Sequence, residues 1–176
     1  RGQGKNTWES EPGKNLLFSI LVHPVCVPVN RQFLLSMAGA VALKHALDKY
    51  DGGFMMKWPN DIYWQDKKIS GTLIETTIAR HHIQNCIFGI GIDVNQTEFP
   101  DTVPNPVSLC QITGKEVSLK HLLREVVEAF QDVLEMIEDG DYTDIAALYH
   151  QSLYYGKGFH RFEDENGVFE AGIVDV

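Results

Sequence analysis

Cysteine is scarce in this 176-residue sequence: Cys26, Cys86 and Cys110 are the only three, and no two of them form a C-x-x-C pair. An odd number at such spacing argues against a disulfide framework or a zinc site. Each thiol lies in or beside an apolar stretch, which reads as reduced, mostly buried cysteine and a cytoplasmic location. Long hydrophobic runs are also missing. No segment approaches the roughly 20 apolar residues that span a bilayer, and no basic segment followed by an apolar signal core opens the chain. Positive charge is in deficit, with 15 Lys and Arg against 24 Asp and Glu and a formal net charge of −9. The acidic residues are spread along the chain, so a protein that grips nucleic acid through its overall field is not expected, although a local basic loop can still meet a phosphate. Internal repeats and low-complexity tracts are absent.

What is present suffices for one ordinary domain and a small appendage: 44% of residues are hydrophobic, enough for a sizeable core. Both ends read as interior sequence. Arg1-Gly2-Gln3-Gly4 starts inside a glycine loop without an initiating Met, and "FEAGIVDV" stops inside a strand, so further chain is expected on both sides.

The run "NLLFSILVHPVCV", closed by Pro24 and Pro28, predicts a central strand over about 16–23. From Arg31 to Tyr50, Phe33, Leu34, Met37, Ala38, Val41, Ala42 and Leu47 recur at helical spacing, and Asp51-Gly52-Gly53 supplies a stop. Residues 54–57, a hairpin turning at 65–67 and a strand over 83–94 predict an antiparallel meander. Residues 95–117 form a long loop with a short helical turn at "SLCQITG". A second amphipathic helix runs from Leu119 to Ile137 behind the Ser118 cap, and a shorter one covers 143–154. The texture then changes, and Asn166-Gly167 marks a hairpin. A domain boundary is placed near 155, giving units 1–155 and 156–176.

The chemistry-bearing residues cluster in three places. Arg1-Gly2-Gln3-Gly4-Lys5-Asn6 joins glycines, which let backbone amides approach an anion, to two cations that neutralise it, although as an isolated motif it fits a flexible solvent loop better. In "KWPND", Pro59 restricts Trp58 to an extended conformation and throws Asn60 and Asp61 to a strand end. In "KKISGTLIE", strict alternation puts Lys68, Ser70, Thr72 and Ile74 on one face and Ile69, Gly71, Leu73 and Glu75 on the other. The apolar strand "FGIGIDVN" repeats the mid-strand glycine pattern at Gly89 and Gly91 before the polar Asp93 and Asn95. Mid-strand glycines on neighbouring strands fit either a flat ligand on the sheet or the close approach of a helix. His81-His82 lacks spaced carboxylates and reads as a turn rather than a metal site; Glu135, Glu138 and Asp139 read as a solvated helix end.

In this order and spacing, the glycine loop ending in Trp8, "KWPNDIY", "KKISGTLIE" and "GIGIDVN" resemble the catalytic domain of biotin protein ligases, the biotin-[acetyl-CoA-carboxylase] ligases, over essentially the whole chain. The resemblance implies an α/β fold of the class II aminoacyl-tRNA synthetase and biotin synthetase kind, a mixed sheet flanked by helices, followed by the beginning of a small SH3-like module. It also implies a two-step reaction: ATP adenylates the carboxylate of biotin, then a lysine of a biotin carboxyl carrier protein attacks biotinyl-AMP. By motif, Arg1, Gly2 and Gln3 match the loop that contacts biotin and closes over the adenylate, and Trp8 matches the aromatic residue that ends it. Lys68 matches the lysine that meets biotin and the reacting carboxylate or phosphate, so Lys68 and Arg1 are the implied catalytic cations. Lys57, Asn60 and Asp61 match positions near the nucleotide, with Asn60 or Asp61 placed to hold Mg²⁺. Gly71 and Gly91 match glycines that leave room for the ligand. Gln3 stands where some members carry arginine, and Asp93 where asparagine is common. The Ser/Thr-rich upstream part of the family's biotin pocket has no match here, so this segment alone is expected to bind biotin poorly. A homodimer, known in parts of the family, is compatible with the resemblance.

Two rival readings stand beside it. A lipoate-protein ligase shares the fold and the adenylate logic, but the "KWPND" and "GIGIDVN" texture favours the biotin branch. A biotin-sensing regulatory module would need a helix-turn-helix, and this acidic segment shows none.

Overall fold

The computed structural model describes residues 8–174 and residue 176. Five strands, β1 (Leu16–Val22), β2 (Phe54–Lys57), β3 (Asp61–Trp64), β4 (Lys67–Ala79) and β5 (His82–Ile92), form a sheet in the order β1-β5-β4-β3-β2. Every strand pair in it is antiparallel. The parallel contacts of the described residues are two isolated bridges, Met56 to Leu153 and Lys68 to Pro106. The meander read from β2 to β5 is therefore present. The chain makes its tight turn between β3 and β4 at Gln65 and Asp66, with Gln65 in the left-handed region at φ 53°.

Helices α1 (Phe33–Asp48), α2 (Leu109–Thr113), α3 (Leu119–Asp139) and α4 (Tyr142–Gln151) complete the unit. The middle of α1 is small and apolar, and Ala38, Gly39, Ala40, Val41, Ala42 and Leu43 are all buried. A helix buried nearly all round must be enclosed on several sides, and α1 lies between the sheet and the α3–α4 pair. Gly39 sets how close it comes: a Cβ there would lie 2.9 Å from Phe88 Cε1 of β5. Helix α3 is one-sided, burying Leu122, Val126, Ala129, Phe130, Val133 and Ile137 at the spacing of a single stripe. Ser118 caps it by accepting from the His121 N–H at 3.3 Å, and Gly140 closes it in the left-handed region at φ 83°. Phe88 and Phe130 meet edge to face with centroids 5.3 Å apart, joining sheet to α3.

Three features differ from the sequence reading. The strand at 16–22 is an edge of the described sheet, not a central strand: it pairs with β5 alone, and Leu17 and Leu21 face outward on the exposed side. An apolar run bounded by prolines specifies a strand but not its neighbours. The thiols are not uniformly buried, since Cys86 is buried, Cys110 half-buried and Cys26 exposed; all three are free. Near the end, β6 (His160–Asp164) and β7 (Gly167–Ala171) form the expected hairpin, but its two-residue loop is Glu165-Asn166, with Gly167 already paired to Asp164. Asp164 claims the turn by accepting from the Asn166 N–H at 2.8 Å.

Because Phe88 is 1% exposed and anchors both helix layers, Phe88→Ala is expected to cost about 3–5 kcal/mol of unfolding free energy. Urea denaturation followed by circular dichroism measures this.

Candidate functional site

The face of the sheet opposite α1 carries a cleft of about 550 Å³. Its floor is set by register. One row crosses four strands as Asp61, Gly71, Gly91 and Leu17, and the next as Leu73, Gly89 and Ser19. Three of those seven positions have no side chain, so a flat group can approach the backbone itself. No helix of the described residues packs on these glycines, whereas Gly39 of α1 meets Phe88 on the other face of the sheet.

Lys68 reaches this floor through a β-bulge. Ile62 pairs with Ser70 and Tyr63 with Lys68, which leaves Ile69 as an extra residue on β4. The inserted residue shifts the alternation by one. Lys68 therefore does not share a face with Ser70 and Thr72, as strict alternation predicts. It lies with Gly71, Leu73 and Glu75 at the cleft, while Ile69 and Ser70 are buried and do not line it. Beyond the end of β5, the loop at 105–107 takes over its place beside β4, with Lys68 N–H donating to Asn105 O at 2.8 Å and Val107 N–H donating to Lys68 O at 3.0 Å.

The Lys68 ammonium binds Asp61 Oδ2 at 2.7 Å, with the two side chains 30% and 23% exposed. It also lies 5.8 Å from the centre of the Trp8 ring. Trp8 covers the glycines: a Cβ at Gly91 would sit 2.6 Å from Trp8 Cε2, and one at Gly71 would sit 3.1 Å from both Trp8 Cζ3 and Lys68 Nζ. The indole Nε1 is buried without a hydrogen-bond partner among the described residues. Trp8, Asp61, Lys68, Gly71 and Gly91 are thus brought together as the motifs suggest.

Asn60 is at the cleft, but its amide is partly spent on structure. Its Nδ2 donates to Thr72 O, and Thr72 N–H donates back to Asn60 O at 3.0 Å, which pins the turn after the cis Trp58-Pro59 peptide to β4. Lys57 does not line the cleft. Its ammonium donates to Tyr63 Oη at 3.1 Å and stands 4.5 Å over the Tyr63 ring and 5.8 Å from Tyr154. Arg1, Gly2 and Gln3 lie outside the described residues. Sequence reasoning missed Leu17, Ser19, Leu73 and Ile87 as cleft residues. Extending the Gly89–Gly91 alternation to the neighbouring strands would have found them.

As a holder for Mg²⁺, Asp61 offers one carboxylate with one oxygen already bound to Lys68. The described residues contain no group of three His, Cys, Asp or Glu side chains able to hold a metal ion. Such a site fits only an ion that arrives with phosphate and water ligands of its own, the usual habit of Mg²⁺.

Asp93 is placed differently from the other candidates. It follows β5 on the glycine row but is 4% exposed and does not line the cleft. Its backbone is held by Asp93 N–H to Ile69 O at 2.9 Å and Leu109 N–H to Asp93 O at 3.0 Å. Asn15 fixes the next residue by accepting from Val94 N–H at 2.8 Å. The carboxylate Oδ1 has no partner among the described residues. Burial favours the uncharged carboxyl and the Lys68 charge offsets this only in part, so the group is pushed up from 3.8 to about 7. The folded chain then holds this proton more tightly than the unfolded chain, and stability falls as pH rises from about 4 to about 7 before levelling off. Asp93→Asn keeps the shape and cannot ionise. Relative to the wild type it is expected to gain up to about 4 kcal/mol between pH 4 and pH 8, read from urea unfolding at a series of pH values.

Comparison with known proteins gives this geometry a family. The Bacillus subtilis bifunctional ligase/repressor BirA is 29% identical over 181 residues, covering 100% of this chain and 55% of that protein. Biotin–protein ligase 2 of Arabidopsis thaliana is 26% identical over 158 residues, covering 86% of this chain and 47% of the relative. The chain thus spans about half the length of these relatives. Among solved structures, the biotin protein ligase from Aquifex aeolicus in complex with biotin and ATP superposes with a TM-score of 0.77 at 26% identity, covering 98% of this chain and 81% of that one. The α/β architecture described above is the fold of that catalytic unit. A sequence model of the Biotin/lipoate A/B protein ligase family matches residues 1–93, which include the glycine loop, "KWPND", "KKISG" and "GIGID", and the chain belongs to that family.

Proposed function

We propose that the protein is an ATP-dependent biotin protein ligase, with residues 1–155 as its catalytic unit and residues 156–176 as the start of a second, SH3-like module. The observation that carries this reading is the Lys68–Asp61 ion pair standing at the edge of a glycine-floored cleft. A free carboxylate resists attack by an amine, so the carboxylate of biotin must first displace pyrophosphate from the α-phosphorus of ATP. Both reactants are anions, and their approach needs a cation that the fold holds in place. Lys68 supplies it, and Asp61 orients the ammonium until substrate oxygens take over part of its hydrogen bonding. In the second step the amine of an acceptor lysine on a biotin carboxyl carrier protein attacks the acyl carbon, AMP leaves with the bonding pair, and the amine loses a proton.

The cleft also suits the rest of such an intermediate. Gly89 offers flat backbone, Leu17, Leu73 and Ile87 border the cleft with apolar surface, and the Trp8 indole, lying on Gly71 and Gly91, shields it from water. Arg1, Gly2 and Gln3 precede Trp8 in the chain and would extend that cover. The biotin reading is preferred to a lipoate ligase because the relatives that match along the chain are biotin ligases. No helix among the described residues is long and apolar enough to cross a membrane, and a cytoplasmic site of action is part of the proposal.

Incubation with ATP, an acceptor domain and either radiolabelled biotin or radiolabelled lipoate is expected to label the acceptor with biotin alone. Lys68→Ala is expected to lower the rate of biotinyl-AMP formation by a factor of about 10² or more, with the circular dichroism spectrum unchanged. Undiminished adenylate formation in that variant removes Lys68 from its assigned role.

A further inference from the structure

Asp61 and Asp93 both act on Lys68, and they do so from opposite situations. Asp61 is at the cleft, partly solvated, and bonded to the ammonium at 2.7 Å. Asp93 is buried just past the end of β5 and does not line the cleft. Its N–H binds the carbonyl of Ile69, the bulge residue adjoining Lys68, and its Oδ1 is buried and unpartnered among the described residues. Three backbone ties, through Asp93 N–H, Asp93 O and Val94 N–H, prevent it from moving out to find a donor.

The surroundings identify what Asp93 can respond to. Strand β4 brings Lys68, whose charge favours the ionised carboxyl. Helix α2 packs against it through Leu109 and brings the Cys110 thiol, without a formal charge. The segment at 14–15 binds Asn95 and Val94 and brings Lys14. Asp61 is bound to that same Lys68. With Asp93 uncharged, Lys68 and Asp61 cancel and an incoming anion meets a neutral pair. With Asp93 ionised the same site carries a net charge of about −1 in a region screened poorly by solvent, and an anion is repelled.

We propose that Asp93 is a positioning residue for the ligase site: its protonation sets the net charge around Lys68, so that binding an anionic ligand in the cleft takes up a proton at Asp93. This rests on the reading of the cleft as a biotinyl-adenylate site, and it adds a proton to the binding equilibrium there. Burial without a hydrogen-bond partner among the described residues raises the proton affinity of this carboxyl toward the neutral range. By reciprocity, an anion beside Lys68 raises the proton affinity of Asp93, and rising pH weakens the anion's binding.

The probe is a hydrolysis-resistant phosphodiester analogue of biotinyl-AMP, which keeps one negative charge throughout the range. Titration calorimetry is run from pH 6 to pH 8 in buffers of different ionisation enthalpy. For the wild type the expected result is uptake of roughly half a proton per ligand near pH 7 and a Kd that rises about three- to tenfold across the range. In Asp93→Asn the uptake disappears and the Kd changes less than about twofold. Binding with the same proton uptake in Asp93→Asn overturns this inference and leaves the ligase reading standing. Absence of binding by the full-length wild-type protein overturns both. Carboxyl ¹³C titration of the wild type gives a check independent of the variant's folding: a resonance that titrates near pH 7 and moves upward on saturation supports the linkage, and its absence overturns it.

Discussion

The site depends on one row of the sheet, in which Asp61, Gly71, Gly91 and Leu17 stand side by side on four strands. Antiparallel pairing puts these side chains within reach of one another on one face, so the two glycines leave a gap flanked by a carboxylate and a leucine. Slipping any of the strands by one residue would put Ser70, Thr72 or Ile90 into that gap and turn the glycines into the core. The core resists this, because the opposite face must keep Phe88, Ile90 and Ile92 against α1 and α3. The hydrophobic packing on one side thus enforces the emptiness on the other.

The bulge at Ile69 is the second device, and it separates two demands that regular pleating cannot meet together. Ile69 is wholly buried and Ser70 donates to Gly91 O at 2.8 Å from the core side, yet Lys68 must face solvent and ligand. One inserted residue satisfies both. Sequence reasoning could not see it, since a bulge is defined by what two strands do to each other and leaves no mark in the strand that carries it. Assigning Lys68 as a ligand-facing cation was reached by motif, while the alternation argument pointed it away from Gly71.

The same distinction runs through the molecule. Helices α1 and α3 and the β2–β5 meander were legible because periodicity, caps and turn residues are local signals. The edge position of β1, the outward turn of Cys26 and the direction of Lys57 were not, because each depends on distant partners. Lys57 is the clearest case. It sits in the most recognisable motif of the chain, but Tyr63 and Tyr154 offer its ammonium two aromatic faces and a phenol oxygen away from the cleft. Asn60 likewise uses part of its amide to bind the Thr72 carbonyl, so motif membership here mixes residues that meet the ligand with residues that shape the turn.

What remains at the cleft is a sparing use of charge. With Lys57 turned aside, Lys68 is the cation of the described floor, paired with the half-buried Asp61 carboxylate and electrostatically coupled to the buried Asp93. A lone buried Asp destabilises the fold when it ionises, and burial accordingly raises the proton affinity of Asp93. The Trp8 indole completes the enclosure by ring contact alone, its N–H lacking an acceptor among the described residues. A floor kept clear by glycine, an aromatic cover and a cation held firmly are what a site must combine if it is to admit two anionic reactants and then keep water from the anhydride they form.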